Sequence, residues 1–364
     1  MSNESDSKVM SKVFRLIKPG EITEVSIERE VKDKQVVIQP DVTSICHADL
    51  RYFTGQRRPE ALAKKLPMAL LHEGIGRVVE SRSSKVEAGD RVVIVPNLPA
   101  YAREGIPKEE CCSACRSGLS DNYCLNGGFL GSGIDGMAQN RLVMPEQNVI
   151  RIPSSIPDRI AVLAELCSVS YHALAIVKEQ LAKGRAVVFG DGPVGYMTAA
   201  MVHHCFGLEQ NRLTVFGAME EKLANFDFAN REMVQTFDFE NAEKVDVAIE
   251  CTGGKFSESA INQAIDMLAP GGHLILLGVT EDRVPINTRD ILEKGITVHG
   301  SSRSTSYDFE QVIQAMESPA YQKTLDKIVP ENFEYVSTAD QLAKVMEAAA
   351  AHRSWEKTII HFEW

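Results

Sequence analysis

The chain reads as an α/β protein in two parts, a β-rich domain followed by a doubly wound parallel-sheet domain. Two observations predict this. The run Val187-Val188-Phe189-Gly190-Asp191-Gly192-Pro193-Val194-Gly195 ends an apolar strand on G-x-G-x-x-G and opens into helix-forming residues 196–202. That is the strand, turn and helix start of a dinucleotide-binding unit. The second observation is a change of pattern at about residue 156, from short strands punctuated by glycine and proline to strands alternating with helices. Such alternation predicts a parallel sheet covered on both faces.

In chain order, strands are expected at 35–40, 75–80 and 90–96 in the first domain. The second domain should place strands at 187–189, 213–216, 245–250 and 273–278, with 296–299 at the sheet edge. Beyond residue 300 the pattern holds two helical segments and a final strand at 357–362, which returns to the first domain. The expected division is therefore 1–155, completed by 300–364, and 156–299. A chain of 364 residues is long enough for two cores of this size.

Each glycine of the fingerprint has a physical reason. Gly190 allows the tight turn, Gly192 lets backbone approach a pyrophosphate, and Gly195 lets helix pack on strand. The helix start at Pro193 and Val194 then receives the diphosphate charge. The acid that holds the adenosine ribose, roughly 20 residues on at the end of the second strand, is missing. Gly217 stands there, followed by Ala218, Met219, Glu220, Glu221 and Lys222. An acid repels a 2′-phosphate, so its absence points to NADP(H). Lys222 either supplies a charge to that phosphate or is a solvated helix residue.

The formal charge of −11 argues against nucleic acid or an anionic membrane as the main partner. The start of the chain, Met1 to Asp6, is polar, without the apolar run of a signal peptide or membrane span. A cytoplasmic enzyme is the expectation. Against the acidic background, Arg51, Arg57, Arg58, Lys64 and Lys65 form a basic run. It reads as a phosphate-binding segment or as a solvated loop.

Outside the fingerprint lie Cys46, the pair His72-Glu73, and Glu165, the last interrupting an apolar helix at 160–167. A lone carboxylate there is costly unless paired or ligating. Singly they read as a buried cysteine, a core histidine and helix acids. Together, a thiolate, an imidazole and carboxylates make a catalytic zinc site. Of the eight cysteines, Cys111, Cys112, Cys115 and Cys124 cluster. In a cytosolic chain such a cluster reads as metal-binding rather than as a disulfide framework.

On these motifs the chain resembles, over nearly its full length, the zinc-dependent medium-chain dehydrogenase/reductases. The resemblance implies a GroES-like catalytic domain beside a Rossmann domain. By analogy with the polyol dehydrogenase branch, it implies catalytic zinc on Cys46, His72, Glu73 and Glu165, the two glutamates alternating with water. Further segments are similar to the ribulose-5-phosphate reductases: Ser44-Ile45-Cys46, Ala48-Asp49, Arg51-Tyr52, 64–68, 95–97, Val215-Phe216-Gly217, 287–289, 292–295, 300–304 and 308–312. Membership of that group implies NADPH-dependent reduction of D-ribulose 5-phosphate to D-ribitol 5-phosphate. It also implies a homodimer or homotetramer, and a link to a cytidylyltransferase making CDP-ribitol for teichoic-acid or capsular polymers. Arg303 matches an arginine that contacts substrate or cofactor in related enzymes, and it joins Arg51 as a first candidate.

Two departures from the family pattern matter. The hydroxyl that relays a proton two residues after the zinc cysteine is replaced by Ala48, which passes that role to Tyr52, Glu73 or a zinc-bound water. The first cysteine of the structural-zinc lobe falls on Glu109, with an extra thiol at Cys111. The lobe therefore binds zinc through Cys112, Cys115, Cys124 and either Cys111 or Glu109, or it is metal-free. Two rival readings remain: a zinc polyol or alcohol dehydrogenase using NAD(P) and unphosphorylated substrates, and a catalytically silent nucleotide-binding protein.

Overall fold

The computed structural model describes residues 7–351 and 355–364, so the polar lead Met1 to Asp6 lies outside the described residues. Two compact units emerge. The first comprises the described residues through Glu165, with Ser304–Glu317 and Val329–Trp364; the second comprises Leu166–Arg303 and Ser318–Ile328. The boundaries differ from 155 and 300, and residues 318–328 leave the tail to join the nucleotide unit. Packing explains this. The helix Pro319–Asp326 rests on the helix Pro193–His204. There Tyr196 donates to the Thr324 carbonyl at 2.8 Å, His204 Nε2 meets Thr324 Oγ1 at 2.8 Å, and Tyr321 is fully buried.

The first unit opens on a long hairpin, Ser7–Lys18 with Glu21–Val31, turned at Gly20 with φ 79°. Its charged outer face hid it from sequence reading, while Val13, Phe14 and Leu16 are buried. A second sheet runs Val149–Arg151, Arg91–Ile94, Glu73–Ser81, Gln35–Ser44, Ile359–Phe362 and Glu334–Val336 in spatial order, with Leu142–Pro145 pairing on Gln35–Ser44. Val36, Ile38, Val92, Ile94, Ile360 and Phe362 form part of its core. Register is what builds the site. Ser44 stands opposite Glu73 on one side and opposite Ile359 on the other. Gly76 permits this pairing, because an added Cβ would sit 2.3 Å from the Gln39 carbonyl oxygen.

The second unit is a six-stranded sheet with every pairing parallel. Its order is Asn230–Met233, Leu213–Gly217, Ala186–Phe189, Val245–Glu250, Leu268–Leu276 and Thr297–Gly300. In chain order of the strands this is 3-2-1-4-5-6, the dinucleotide-binding arrangement, with its ligand crevice where the order reverses after Ala186–Phe189. Thr297–Gly300 lies at the edge, as expected.

Other differences from expectation are local. The apolar stretch at 160–167 breaks into the helices Asp158–Ala161 and Ala164–Ala175. Among the described residues the tail holds three helices rather than two: Ser306–Met316, Pro319–Asp326 and Ala339–Ala351. Ser318 caps the second of these and Pro319 occupies its first turn, so a new helix starts at once. Among the described residues no helix is long and apolar enough to cross a membrane.

Candidate active site

The site is assembled where three segments of the first unit converge. Cys46 is the N-cap of the helix His47–Phe53, and its N–H donates to Asp49 Oδ2 at 3.1 Å. The other Asp49 oxygen accepts from Leu71 N–H at 3.0 Å and lies 3.5 Å from His72 Nδ1. Asp49 thus orients the imidazole, as carboxylates behind metal-bound histidines do. Leu71 itself adopts φ 75°, a left-handed conformation, and the loop clamps it: an added Cβ at Gly136 would lie 2.2 Å from its carbonyl oxygen. Phe129 packs on His72 with ring centroids 5.1 Å apart.

Ligating atoms of Cys46, His72 and Glu73 all fall within 4.8 Å of one another. Glu73 Oε2 is held by Ser44 Oγ and by Lys357 Nζ at 2.7 Å, and Lys357 also donates to the Ile45 carbonyl at 2.9 Å. Glu73 Oε1 is buried and has no hydrogen-bond partner among the described residues. A buried carboxylate oxygen left so is costly, and a divalent cation is the partner it lacks. Thiolate, imidazole and carboxylate are zinc donors, so the residues fit the metal that the pattern implied.

The donors also act on one another electrostatically. Burial, and then the Glu73 charge, push the Cys46 thiol above its ordinary range. Burial opposes ionisation of Glu73, yet the Lys357 charge pulls its carboxyl below the usual value. The charge of Asp49 likewise overcomes burial and raises His72 well above the ordinary histidine value. Glu165 stands outside the close trio but within its field. Burial and the Glu73 charge raise its carboxyl to about 7.

The four cysteines also converge. Cys111, Cys112, Cys115 and Cys124 bring their sulfurs within 4.8 Å of one another, and Cys112 and Cys115 are 3.6 Å apart. The close fourth donor is Cys111; Glu109 is not part of the group. Backbone N–H groups at Cys115 and Leu125 pull the Cys112 thiol down to about 6. Thiolate is the ligating form.

In the second unit the glycine-rich turn behaves as its spacing required. Gly190 has φ +132°, and an added Cβ at Gly195 would stand 2.0 Å from the Gly190 carbonyl oxygen. Gly192 caps the helix that starts at Pro193 and Val194, and an added Cβ there meets nothing within 4 Å. At Gly217 an added Cβ would lie 2.7 Å from Asp191 Cβ. Asp191 Oδ2 accepts from the N–H groups of Ala218 at 2.7 Å and Met219 at 2.9 Å. Lys222 is half-buried on the helix Glu220–Leu223 and has no ion pair among the described residues.

The basic run separates. Arg57 lies over the Tyr52 ring, 4.7 Å from its centroid, and Lys65 donates to Tyr52 Oη at 2.9 Å and to Ser132 Oγ at 2.8 Å. Arg51 belongs to the same helix as Tyr52, while Arg58 and Lys64 are exposed. Arg303, with φ 61°, belongs to the other unit. Sequence reading missed Ser44, Lys357 and Ser132. No local signal marks them, since sheet register and loop packing alone bring them in. Asp49 had a visible signal, an acid three residues after the candidate cysteine ligand.

Comparison with known proteins agrees with this architecture. The alcohol dehydrogenase GroES-like domain matches residues 32–154 and the zinc-binding dehydrogenase domain matches residues 209–318. Ribulose-5-phosphate reductase 1 of Staphylococcus aureus is 33% identical over 355 residues, covering 97% of this chain and 99% of that protein. Ribulose-5-phosphate reductase of Bacillus spizizenii is 34% identical over 358 residues, covering 98% and 100%. The crystal structure of S. aureus TarJ in complex with NADPH superposes with a TM-score of 0.81 at 29% identity, covering 98% of this chain and 100% of that one. The chain belongs to the zinc-dependent medium-chain dehydrogenase/reductases, and within that family it is similar to the ribulose-5-phosphate reductases.

Proposed function

We propose that the protein is an NADPH-dependent zinc reductase that converts D-ribulose 5-phosphate to D-ribitol 5-phosphate. The observation that carries this is similarity to several ribulose-5-phosphate reductases at 33–36% identity over 84–98% of the chain. In this reading Cys46, His72 and Glu73 hold the catalytic zinc and Glu165 exchanges with water. Asp49 orients His72, and Lys357 with Ser44 fixes the Glu73 carboxylate. Bound zinc supplies a Lewis acid for the ketone oxygen, and bound NADPH supplies the hydride.

Gly190, Gly192, Pro193, Val194 and Gly195 take the cofactor diphosphate, while Gly217 and Lys222 border its adenosine end. Arg51, Arg57, Arg58 and Arg303 are assigned to the substrate phosphate. A structural zinc belongs on Cys111, Cys112, Cys115 and Cys124. The enzyme would act in the cytoplasm as a homodimer or homotetramer. Its product would pass to a cytidylyltransferase for teichoic-acid or capsular polymers.

Steady-state reduction of ribulose 5-phosphate and of ribulose, each with NADPH and NADH, tests the reading. The phosphorylated ketose with NADPH should give the highest kcat/KM. Removing the charges of Arg57 and Arg58 together should cost about 1.5–3 kcal/mol, roughly one to two decades in kcat/KM for the phosphorylated substrate. Equal losses for both substrates would instead favour a polyol dehydrogenase acting on unphosphorylated substrates.

A further inference from the structure

Ala48 leaves the reaction without the hydroxyl that would pass a proton to the reduced oxygen. A substitute must be an acid held near the candidate metal ligands, with its charged form stabilised. Tyr52 lies one helical turn beyond Asp49, the residue that orients His72, and so shares its helix face. Its hydroxyl accepts from Lys65 Nζ at 2.9 Å and lies 3.2 Å from Ser132 Oγ, which also accepts from Lys65 at 2.8 Å. The three groups close a triangle.

Both ends of that triangle are tied to the metal trio. Tyr52 is on the helix that Cys46 starts. Ser132 follows Gly131, where an added Cβ would lie 3.2 Å from Leu71 N and 3.5 Å from Asp49 Oδ1. Phe129, two residues earlier, packs on His72. Lys65 has no carboxylate in ion-pair range among the described residues, although the protein is acidic. Two of its three donors are directed at neutral oxygens, one of which is a phenol.

We propose that Tyr52 is the general acid of the reduction, with Lys65 and Ser132 as positioning residues that stabilise its phenolate. The proposal rests on the reductase reading above. Hydride addition at C2 places an electron pair on the ketone oxygen. The Tyr52 O–H bond then breaks, a new O–H bond forms on that oxygen, and tyrosinate remains beside Lys65. Solvent water returns the proton. Lys65 therefore leaves the phosphate-binding set, and Arg51, Arg57 and Arg58 keep that role.

The groups that face the phenol support this. Tyr52 is 2% exposed, and burial alone would raise its pKa. The hydrogen bonds from Lys65 and Ser132, with the charges of Lys65 and Arg57, reverse the shift and bring it below the ordinary tyrosine value.

The test compares the zinc-loaded wild type with Tyr52→Phe, Lys65→Met, Lys65→Arg and Ser132→Ala. Tyr52→Phe should lower kcat by about 10²-fold or more, the contribution of a positioned general acid, and leave NADPH affinity and zinc content unchanged. Reduction should fall at alkaline pH as Tyr52 ionises. Lys65→Met should move that limb to higher pH, Lys65→Arg should restore it in part, and Ser132→Ala should move it less.

A second readout needs no turnover. The ultraviolet tyrosinate titration of the wild type minus that of Tyr52→Phe should show one phenol ionising below the ordinary value, and Lys65→Met should raise it. The proposal fails if Tyr52→Phe keeps kcat within about threefold. It also fails if Lys65→Met raises KM for the phosphorylated ketose without moving the alkaline limb. If the wild type reduces no pentulose phosphate, the reductase reading falls. The titration then decides the triangle, and an ordinary Tyr52 value overturns it.

Discussion

Replacing Lys357 by Met should expose how much the metal site depends on a partner from the far end of the chain. The Lys357 and Glu73 side chains are 8% and 1% exposed and 2.7 Å apart. Removing one partner of a buried pair leaves an uncompensated charge and costs about 3–5 kcal/mol. Ser44 Oγ still donates to Glu73, which places the expected loss at the lower end of that range. For a domain of this size about 1 kcal/mol corresponds to roughly 2–4 °C. The first unit of metal-free protein should therefore melt roughly 10 °C earlier, followed by calorimetry and by urea unfolding.

Restoring zinc should recover part of the loss, because the cation then faces Glu73. Lys357→Met combined with Glu73→Gln should be much less destabilised than the sum of the single changes, since the pair is then neutral. Lys357→Arg should stay near wild type. A loss below about 1 kcal/mol for Lys357→Met, typical of an exposed ion pair, would show that Glu73 is not buried against this lysine.

Three further outcomes are expected. Cys46→Ser and His72→Ala should fold, as judged by far-ultraviolet circular dichroism, yet lose one zinc per chain and nearly all turnover; full activity without that zinc would refute the ligand assignment. Cys111→Ser should lower total zinc by one atom per chain while Glu109→Gln leaves it unchanged, and elemental analysis showing the reverse would move the fourth ligand to Glu109. Gly217→Asp should weaken NADPH binding by repelling the 2′-phosphate, and its Cβ must also displace the Asp191 side chain that now caps Ala218 and Met219. Calorimetric titration of NADPH into Gly217→Ala separates the steric effect from the charge effect, and equal losses in both variants would refute a role for charge.

Much of this protein was legible in one dimension. The G-x-G-x-x-G turn after an apolar strand prescribes its own geometry, because Gly190 and Gly195 must lie too close for a side chain between them. The alternation of strand and helix after residue 156 carried the parallel sheet and its edge strand for the same reason: helical and extended periodicities are local. The identities of Cys46, His72 and Glu73 named a metal chemistry before any geometry was known. Tertiary structure decided what surrounds those residues. Sheet register sets Ser44 opposite Glu73, and strand pairing at Ile359 delivers Lys357 from almost 300 residues away. The gathering of Cys111 rather than Glu109 with the other three cysteines, the Asp191 side chain filling the space beside Gly217, and the return of 318–328 to the nucleotide unit are also long-range outcomes. A sequence pattern records what each residue can do within a few neighbours. Which partner it meets depends on pairings between distant segments, and the burial that makes those pairings energetically decisive exists only once the chain is folded.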